Sequence, residues 1–319
     1  MSDIKLFRLS DNQITELAGQ AIQVEKSLQS LFETNLETLL GVKFLASEYS
    51  TGSVHGGRID TLGIDEDSSP VIIEYKRAIN ENVVSQGLFY FDWLLDHRKD
   101  FQWLVMEKLG ADMAKSVDWS GPRLLCIAGD FTRYDEHAVK QIARNIELLR
   151  YRRFGDDLIM LELVHTPKQN RTTVQSGAAS EVKLPAAAAG SATTNAKDPY
   201  ASQRIAYRLS QADQNLRDLY EAARAYLLGL GDDVQVKELA YYIAFKRIKN
   251  FACVEVYPQT KVLTMFLKVD PKTVPLEKGF TRDVTNIGHF GTGNLEVSLR
   301  SMDDFTRAQP LIVRSYEGS

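Results

Sequence analysis

Cysteine is nearly absent from this chain of 319 residues, which contains only Cys126 and Cys253. Each cysteine lies within an apolar run, and their spacing matches no zinc-binding motif. Two isolated cysteines exclude a disulfide-stapled secreted scaffold, and they are typical of small buried side chains in a reducing compartment.

Long hydrophobic runs are missing as well. The chain has no stretch of about 18 consecutive apolar residues, the length that a membrane helix needs. Its first residues, Met1–Phe7, carry no signal-peptide core. We therefore expect a soluble, cytoplasmic protein without a membrane partner. An apolar fraction of 44% is enough for real cores, and the length allows two domains.

Positive charge is scarce in the first half of the chain. Residues 1–166 hold 18 Lys and Arg against 26 Asp and Glu, a net charge of −8, whereas residues 167–319 hold 20 against 16, a net charge of +4. An acidic first half disfavours tight metal-free binding to DNA. It does not exclude a nucleic-acid enzyme, because bound metal ions offset carboxylate charge locally.

A β-hairpin with charges inside its strands is the feature around which the chain is organised. The segments Gly57–Ile64 and Pro70–Arg77 are short and apolar, and the turn-rich residues Asp65–Ser69 separate them. A charge inside a buried strand is costly unless it has a partner. Three charges nevertheless interrupt these strands: Asp60, Glu74 and Lys76.

Strand pairing puts these three charged side chains on one face of the hairpin. With a five-residue loop, Asp60 lies opposite Glu74, and the alternation of side chains places Lys76 on the Glu74 face. Two carboxylates this close repel each other unless a cation lies between them. Oxygen ligands of this type suit Mg²⁺ or Mn²⁺, so the hairpin predicts a divalent-cation site.

The arrangement of Asp60, Glu74 and Lys76 across a hairpin resembles the signature of the PD-(D/E)XK nuclease superfamily. The sequence pattern Gly-Arg-Ile-Asp … Val-Ile-Ile-Glu-Tyr-Lys is similar to that of its NucS-like and RecB-like branches. The residues Gln86–Tyr90 match a Gln-x-x-x-Tyr element that follows the lysine in RecB-like members. Upstream, Val24–Leu36 resembles the first helix of the family, which supplies another acidic residue. The match covers roughly residues 20–100.

The resemblance implies a metal-dependent nuclease that hydrolyses phosphodiester bonds, with DNA expected rather than RNA. Asp60 and Glu74, with the carbonyl of Tyr75 as a further ligand, are expected to bind Mg²⁺ or Mn²⁺, which lowers the pKa of a bound water. Lys76 is expected to orient that water or to offset charge on the scissile phosphate. A helix carboxylate, Glu25 or else Glu33, would complete the outer shell or a second metal position.

Five further residues complete the expected site or its surroundings. Glu25 and Glu33 are eight residues apart on a similar helix face, and the resemblance favours Glu25. Gln86 and Tyr90 lie one turn apart and are expected to support the site and contact substrate. Arg58 shares the face of Asp60, where it would hold a phosphate or pair with Glu74. The glycines that precede Arg58 permit a close backbone approach.

The order of predicted elements indicates an α/β fold with a second, smaller domain. For residues 1–166 we expect a restriction-endonuclease-like α/β/α sandwich with a mixed central sheet, including helices over Gln23–Leu40 and Tyr134–Arg150. Residues 167–198 are rich in Ala, Ser, Thr and Gly and predict a flexible linker. Residues 199–319 predict an α+β accessory domain, which resembles a domain of unknown function that accompanies this nuclease type.

Two basic clusters offer further candidate contacts with nucleic acid. Arg150–Arg153 would bind phosphates with Tyr151 stacking on a base, or would form a solvated helix end. In the second domain, basic residues beside aromatic ones form either a nucleic-acid surface or a solvated strand edge. These residues are Lys246, Arg247 and Lys249.

A binding module is the alternative to an enzyme. In that case a nuclease fold would recognise nucleic acid or a protein without cutting, and the second domain would be the working part. The crowded carboxylates argue against a pure scaffold. A homodimer, a protein partner of the C-terminal domain, and endo- versus exonuclease action are left open by the sequence.

Overall fold

A computed structural model describes residues 4–10, 13–22, 24–76, 83–167 and 204–319 of the protein. The predicted linker lies outside these residues except for Pro167, and so does Arg77 at the end of the second predicted strand. Among the described helices, none has the length and apolar character that a membrane crossing requires.

The first region contains nine strands and seven helices among the described residues. In chain order they are β1 (Leu6–Ser10), β2 (Gln13–Leu17), β3 (Gly19–Gln20), α1 (Glu25–Thr34), α2 (Leu36–Leu40), β4 (Val42–Ser50), α3 (Gly52–His55), β5 (Arg58–Asp65), β6 (Pro70–Lys76), α4 (Val83–Asp96), α5 (Arg98–Leu109), α6 (Ala111–Lys115), β7 (Arg123–Ala128), α7 (Arg133–Gln141), β8 (Ile146–Phe154) and β9 (Leu158–His165).

Seven of these strands form a mixed central sheet in the order β3-β8-β7-β6-β5-β4, with β9 paired to β8. The pairs β4–β5 and β5–β6 are antiparallel, whereas β6–β7 and β7–β8 are parallel. One face packs on α1 and α2, and the other packs on α4 and α5. Because both faces are covered, β7 is buried along its whole length. This topology confirms the predicted α/β/α sandwich.

The second region is a smaller α+β unit, as predicted. Its elements are α8 (Ile205–Gln211), α9 (Gln214–Gly229), β10 (Gln235–Glu238), β11 (Ile243–Lys246), β12 (Asn250–Tyr257), β13 (Val262–Leu267), a 3₁₀ turn (Pro271–Thr273), β14 (Thr281–Asp283), β15 (Leu295–Leu299) and α10 (Met302–Glu317). Six antiparallel strands pair in the order β10-β11-β12-β13-β15-β14. Side chains of α9 and α10 share one hydrophobic core with this sheet.

The helix predicted over Tyr134–Arg150 is wrong in its second half. A capping box at Thr132 starts α7, which ends at Gln141, and the chain then enters β8 at Ile146. A short apolar run does not by itself distinguish a buried strand from a helix. Because Tyr151 lies on this strand with no exposed surface, it cannot stack on a base.

The first basic cluster is therefore partly structural. Arg150 is buried on β8, and its guanidinium bonds to Asp130 at 2.8 Å and to Glu162 at 2.7 Å. The buried Tyr151 hydroxyl accepts a hydrogen bond from the backbone N–H of Ile22 at 3.2 Å. The prediction that Arg150 and Tyr151 form a phosphate- and base-binding spot is thus wrong.

The single helix predicted over Gln23–Leu40 is two helices. Asn35 separates α1 from α2 with a φ of −122° and a ψ of 23°, which is not helical. Gly41 caps the second helix at a φ of +64°, in the left-handed region that glycine tolerates. The break redirects the chain so that Leu36 and Leu40 still reach the core.

The tip of the β5–β6 hairpin docks onto the second region. The Tyr242 hydroxyl donates to Asp67 Oδ1 at 2.9 Å, and the Asn250 amide donates to the same oxygen at 2.7 Å. Glu66 accepts from the backbone N–H of Asn250 at 2.8 Å and pairs with Lys268. The turn predicted from Asp65–Ser69 is thus held by side chains from the other end of the chain.

Buried charges continue this interface beneath the tip. Arg123, only 2% exposed, contacts Asp65 at 3.1 Å and Glu147 at 2.7 Å. Lys246 is 5% exposed and lies 3.9 Å from Asp65. A lysine enclosed in this way cannot offer a phosphate contact, so a nucleic-acid surface that includes Lys246 is wrong.

The other two residues of this basic cluster, Arg247 and Lys249, also have partners. The Arg247 guanidinium pairs with Asp233 at 2.7 Å, and the Lys249 ammonium donates to the backbone carbonyl of Thr38 at 3.0 Å. Lys246 and Lys249 of the second basic cluster therefore contact the first region, and Arg247 forms an ion pair within the second region.

Candidate active site

The β5–β6 hairpin has the register that its sequence predicts. Ile64 pairs with Pro70, and the backbone ladder runs as far as Thr61 opposite Ile73. The next opposed residues are Asp60 and Glu74. Here hydrogen bonds between side chains and the backbone take the place of the backbone–backbone bonds of the ladder. The Asp60 N–H donates to Glu74 Oε1 at 3.3 Å, and the Tyr75 N–H donates to Asp60 Oδ2 at 3.0 Å.

Glu74 is a fully buried carboxyl group with an unsatisfied oxygen. Its exposed fraction is zero, and its Oε2 atom has no hydrogen-bond partner among the described residues. Burial, followed by the nearby Asp60 carboxylate, raises the pKa of Glu74 to about 9. Without a cation, Glu74 is therefore protonated at neutral pH.

The partner carboxyl group is perturbed in the same direction. Burial raises the pKa of Asp60, while the Tyr75 N–H and the Lys76 charge lower it and the Glu25 and Glu48 charges raise it. A cation between the two carboxyl groups would favour ionisation of both. The pair thus has the electrostatic character of a cation site.

The Tyr75 carbonyl points to the strand that carries Asp60. Within a strand, the N–H and the C=O of one residue point to the same neighbouring strand. Because the Tyr75 N–H donates to Asp60 on β5, its C=O also points to the β5 side, beyond the end of the ladder. The backbone at Tyr75 therefore presents a carbonyl oxygen on the β5 side of the hairpin, and its role as a metal ligand stays a prediction.

Lys76 is held at the site by the helix carboxylate that the resemblance favoured. Its ammonium lies 3.2 Å from Glu25 Oε1, and its side chain is 15% exposed. Glu25 is the first residue of α1, so the helix begins at the open end of the hairpin. The resulting cluster joins Asp60, Glu74, Lys76 and Glu25.

Glu33 is not brought to this cluster. It accepts hydrogen bonds from the Thr61 hydroxyl at 2.6 Å and from the Gln29 amide at 2.9 Å. Thr61 follows Asp60 on β5, so its side chain points to the opposite face of the sheet. The expected catalytic role of Glu33 is therefore wrong, because the helix turns that carboxylate toward the other face.

Tyr90 lies next to the start of β5. It is 7% exposed, and its hydroxyl accepts a hydrogen bond from the Arg58 N–H at 3.3 Å. A Cβ atom on Gly57 would lie 2.6 Å from the Tyr90 ring, which confirms the expected close backbone approach. Tyr90 thus supports the strand that carries Asp60, and a contact with substrate stays a prediction.

The other two predicted substrate residues are more accessible. The Arg58 side chain is 69% exposed and lies 3.5 Å from Glu48, so the expected pairing with Glu74 is wrong. Gln86 lies one turn before Tyr90 on α4 and is half-buried; its amide has no hydrogen bond to other described residues. A contact of Arg58 or Gln86 with substrate stays a prediction.

Glu48 is the acidic residue that the sequence did not indicate. Its neighbours Ser47 and Tyr49 pair with Thr61 and Ile59, which places Glu48 across from Asp60. Its φ of +50° is rare for a residue with a side chain and is typical of strained functional positions. The sequence around Glu48 carries no signal for such a backbone conformation.

The ligand count fits one class of metal ion. Within the described parts of the chain, no group of three or more His, Cys, Asp or Glu residues is arranged to hold a metal. The hairpin instead offers two carboxyl groups and one carbonyl. Mg²⁺ is usually held by one or two carboxylates while it keeps several waters, so this small ligand set suits it.

Similarity to solved structures is local. A repair endonuclease from Pyrococcus abyssi is 21% identical, with 42% of this chain and 50% of that chain covered and a TM-score of 0.28. A structure described as an EndoMS–dsDNA2 complex is 24% identical, with 45% and 49% covered and a TM-score of 0.24. The chain thus spans about half the length of these proteins.

Sequence comparison covers far more of the protein. Residues 206–319 match the model of a domain of unknown function, DUF5655. An uncharacterized protein of Haemophilus influenzae is 30% identical over 307 residues, which cover 93% of this chain and 94% of that protein. The chain therefore belongs to the same family as this Haemophilus influenzae protein.

Proposed function

We propose that the protein is a metal-dependent nuclease that hydrolyses phosphodiester bonds of DNA, with Mg²⁺ or Mn²⁺ as its cofactor. The observation that carries this proposal is the Glu74 carboxyl group. It is fully buried, one of its oxygens is unsatisfied, and it lies beside Asp60 and Lys76 at the end of a β-ladder. A purely structural hairpin would gain nothing from such a group.

Asp60, Glu74 and the Tyr75 carbonyl are the groups that would hold the cation. When bound, the cation would stabilise charge developing on the phosphate and favour deprotonation of the attacking water. The protein prepares these ligands in advance, because the Tyr75 N–H fixes Asp60 and the Asp60 N–H fixes Glu74. Ligands held in place need little reorganisation during the reaction.

Lys76 provides a positive charge on the same side of the hairpin. Its contact with Glu25 restricts a flexible side chain and keeps the ammonium beside the carboxyl pair. From this position it would orient the attacking water or offset charge on the scissile phosphate. Arg58, which is largely exposed, would contact a neighbouring phosphate.

DNA is proposed as the substrate from the sequence resemblance to DNA nucleases. A non-catalytic binding module is the competing function. The two differ in the need for a cation, because a module that only binds has no use for the buried carboxyl pair. Intrinsic metal binding therefore separates them.

The test combines cleavage with thermal stability. The purified chain is incubated with single-stranded, duplex and branched DNA and with RNA, with and without Mn²⁺, and its melting is followed over a Mn²⁺ titration. We expect Mn²⁺-dependent cleavage of DNA and a rise in the melting temperature, both absent from Asp60→Asn. Asp112→Asn, at a fully exposed side chain on α6, is the control. Cleavage by Asp60→Asn at the wild-type rate would refute the assignment.

A further inference from the structure

Three aromatic rings form a surface patch beside the hairpin. Phe89 on α4 is 48% exposed, and its ring centroid lies 5.3 Å from that of His55. The His97 ring meets His55 edge-on at 5.8 Å. Here, His55, Phe89 and His97 are called the aromatic patch.

Further rings support the His97 end of the aromatic patch. Trp93, 3% exposed, stacks on His97 at 4.8 Å with an angle of 12° between the rings. Tyr49 in turn packs on Trp93 at 5.4 Å. Trp93 and Tyr49 thus restrict the His97 ring, so contact with a flat ligand would cost this ring little side-chain entropy.

The chain places the aromatic patch next to the carboxyl pair. His55 ends α3, and Gly56, at a φ of +62°, then turns the backbone into β5. Phe89 precedes Tyr90, whose hydroxyl bonds to the N–H of Arg58. Only two strand residues, about 6.6 Å, separate Arg58 from Asp60.

The aromatic patch and the carboxyl pair also belong to the same side of the sheet. Ile72 packs in the core that α4 covers, and Glu74 lies two residues further along β6 on the same face. Phe89 and His97 flank that α4 layer, and the exposed Arg58 lies at the start of the strand that leads to Asp60. Flat rings and a guanidinium thus lie on the side of the sheet that carries the carboxyl groups.

This combination matches the chemistry of an unpaired nucleobase. Bases stack on aromatic rings whatever their sequence, and a nearby cation holds the phosphate that joins them. A base inside a duplex already stacks on its neighbours and does not offer a free face.

We propose that the aromatic patch is a stacking platform for an unpaired base next to the scissile phosphate. The inference rests on the proposed nuclease function and names its substrate class, which is DNA with a single-stranded segment at the cleavage site. Phe89 contributes most, because it has the largest exposed face of the three rings.

The test measures binding in an Asp60→Asn background, which prevents cleavage. Fluorescence anisotropy gives the affinity for a single-stranded oligonucleotide and for its duplex, and a 2-aminopurine base reports stacking through quenching. Phe89→Ala should weaken single-stranded binding by roughly 5- to 150-fold, the range for one lost stacking contact. Phe89→Trp should keep both affinity and quenching.

Trp103→Ala is the matched control, because Trp103 is 66% exposed on α5 and is not part of the aromatic patch. Unchanged single-stranded affinity in Phe89→Ala would overturn the platform, and so would an equal loss for single strand and duplex. A cleavage assay on the native chain, which retains Asp60, distinguishes a failure of the platform from a failure of the nuclease proposal. If the native chain cuts DNA while Phe89→Ala binds normally, only the platform fails; if it neither cuts nor binds nucleic acid, the nuclease proposal fails with it.

Discussion

The Lys76 ammonium lies 3.2 Å from Glu25 Oε1, so the end of the β5–β6 hairpin is joined to the first residue of α1. Glu25→Gln removes the charge that holds Lys76 in place. We expect metal-dependent cleavage to fall by about 10- to 100-fold, the usual cost of losing a supporting partner. The measurement is the cleavage rate under saturating Mn²⁺.

Glu33→Gln is the informative comparison for that variant. It replaces the carboxylate that accepts from the Thr61 hydroxyl on the opposite face with a weaker, neutral acceptor, and it should cost at most about 1 kcal/mol of stability while cleavage is retained. If Glu33→Gln lost activity as severely as Glu25→Gln, the two carboxylates would not differ in the way the geometry requires.

Glu74→Gln should separate stability from metal binding. Because the pKa of Glu74 is about 9, the carboxyl group is already neutral at pH 7 without metal, and a neutral amide replaces it at little cost. We expect the metal-free melting temperature to stay within a few degrees of the native value. The rise with Mn²⁺ and the cleavage should both disappear. A Mn²⁺ response that survives in this variant would remove Glu74 from the cation site.

Charge exchange at the hairpin tip should show that the second region stabilises the β5–β6 hairpin. Glu66→Lys removes contacts to Lys268 and to the Asn250 N–H, and we expect a loss of about 1–3 kcal/mol in the free energy of unfolding. Lys268→Glu should be destabilising too. The double variant should recover part of the loss, which urea unfolding would measure as a coupling energy. Strict additivity would mean that the two side chains do not interact.

Low pH should weaken the buried ion pairs that Arg123 makes with Asp65 and Glu147. Burial opposes the ionisation of Asp65 and Glu147, but the neighbouring Lys246 and Arg123 charges outweigh it, so the pKa of each carboxyl group lies below its usual value. A depressed folded-state pKa contributes stability that is present above the unfolded pKa, about 4, and that is lost as the pH falls through the folded value.

Asp65→Asn tests this dependence by urea unfolding at pH 7, 4 and 3. The variant should be less stable than the native chain at pH 7 by about 3–5 kcal/mol, the cost of breaking a buried ion pair. The difference should shrink as the pH falls below 4. Asp112→Asn, which is exposed, should follow the native curve at every pH. A constant difference across the range would contradict the depressed pKa of Asp65.

The local arrangement of the carboxyl pair could be predicted from the sequence. The strand period of two and the five-residue loop are enough to oppose Ile64 to Pro70 and so to bring Asp60 beside Glu74. The close approach at Gly57 and the cap at Gly41 were also predictable, because only glycine meets those steric demands easily. These features depend on residues near one another in the chain.

Only the tertiary structure decided between Glu25 and Glu33, because eight residues on one helix leave the facing partner undetermined until the helix packs. The enclosure of Lys246 likewise follows from long-range contacts. A local pattern reports which face a side chain takes, whereas its partner depends on how remote segments pack. The sequence thus determined the hairpin and its carboxyl pair, and packing determined which charges surround them.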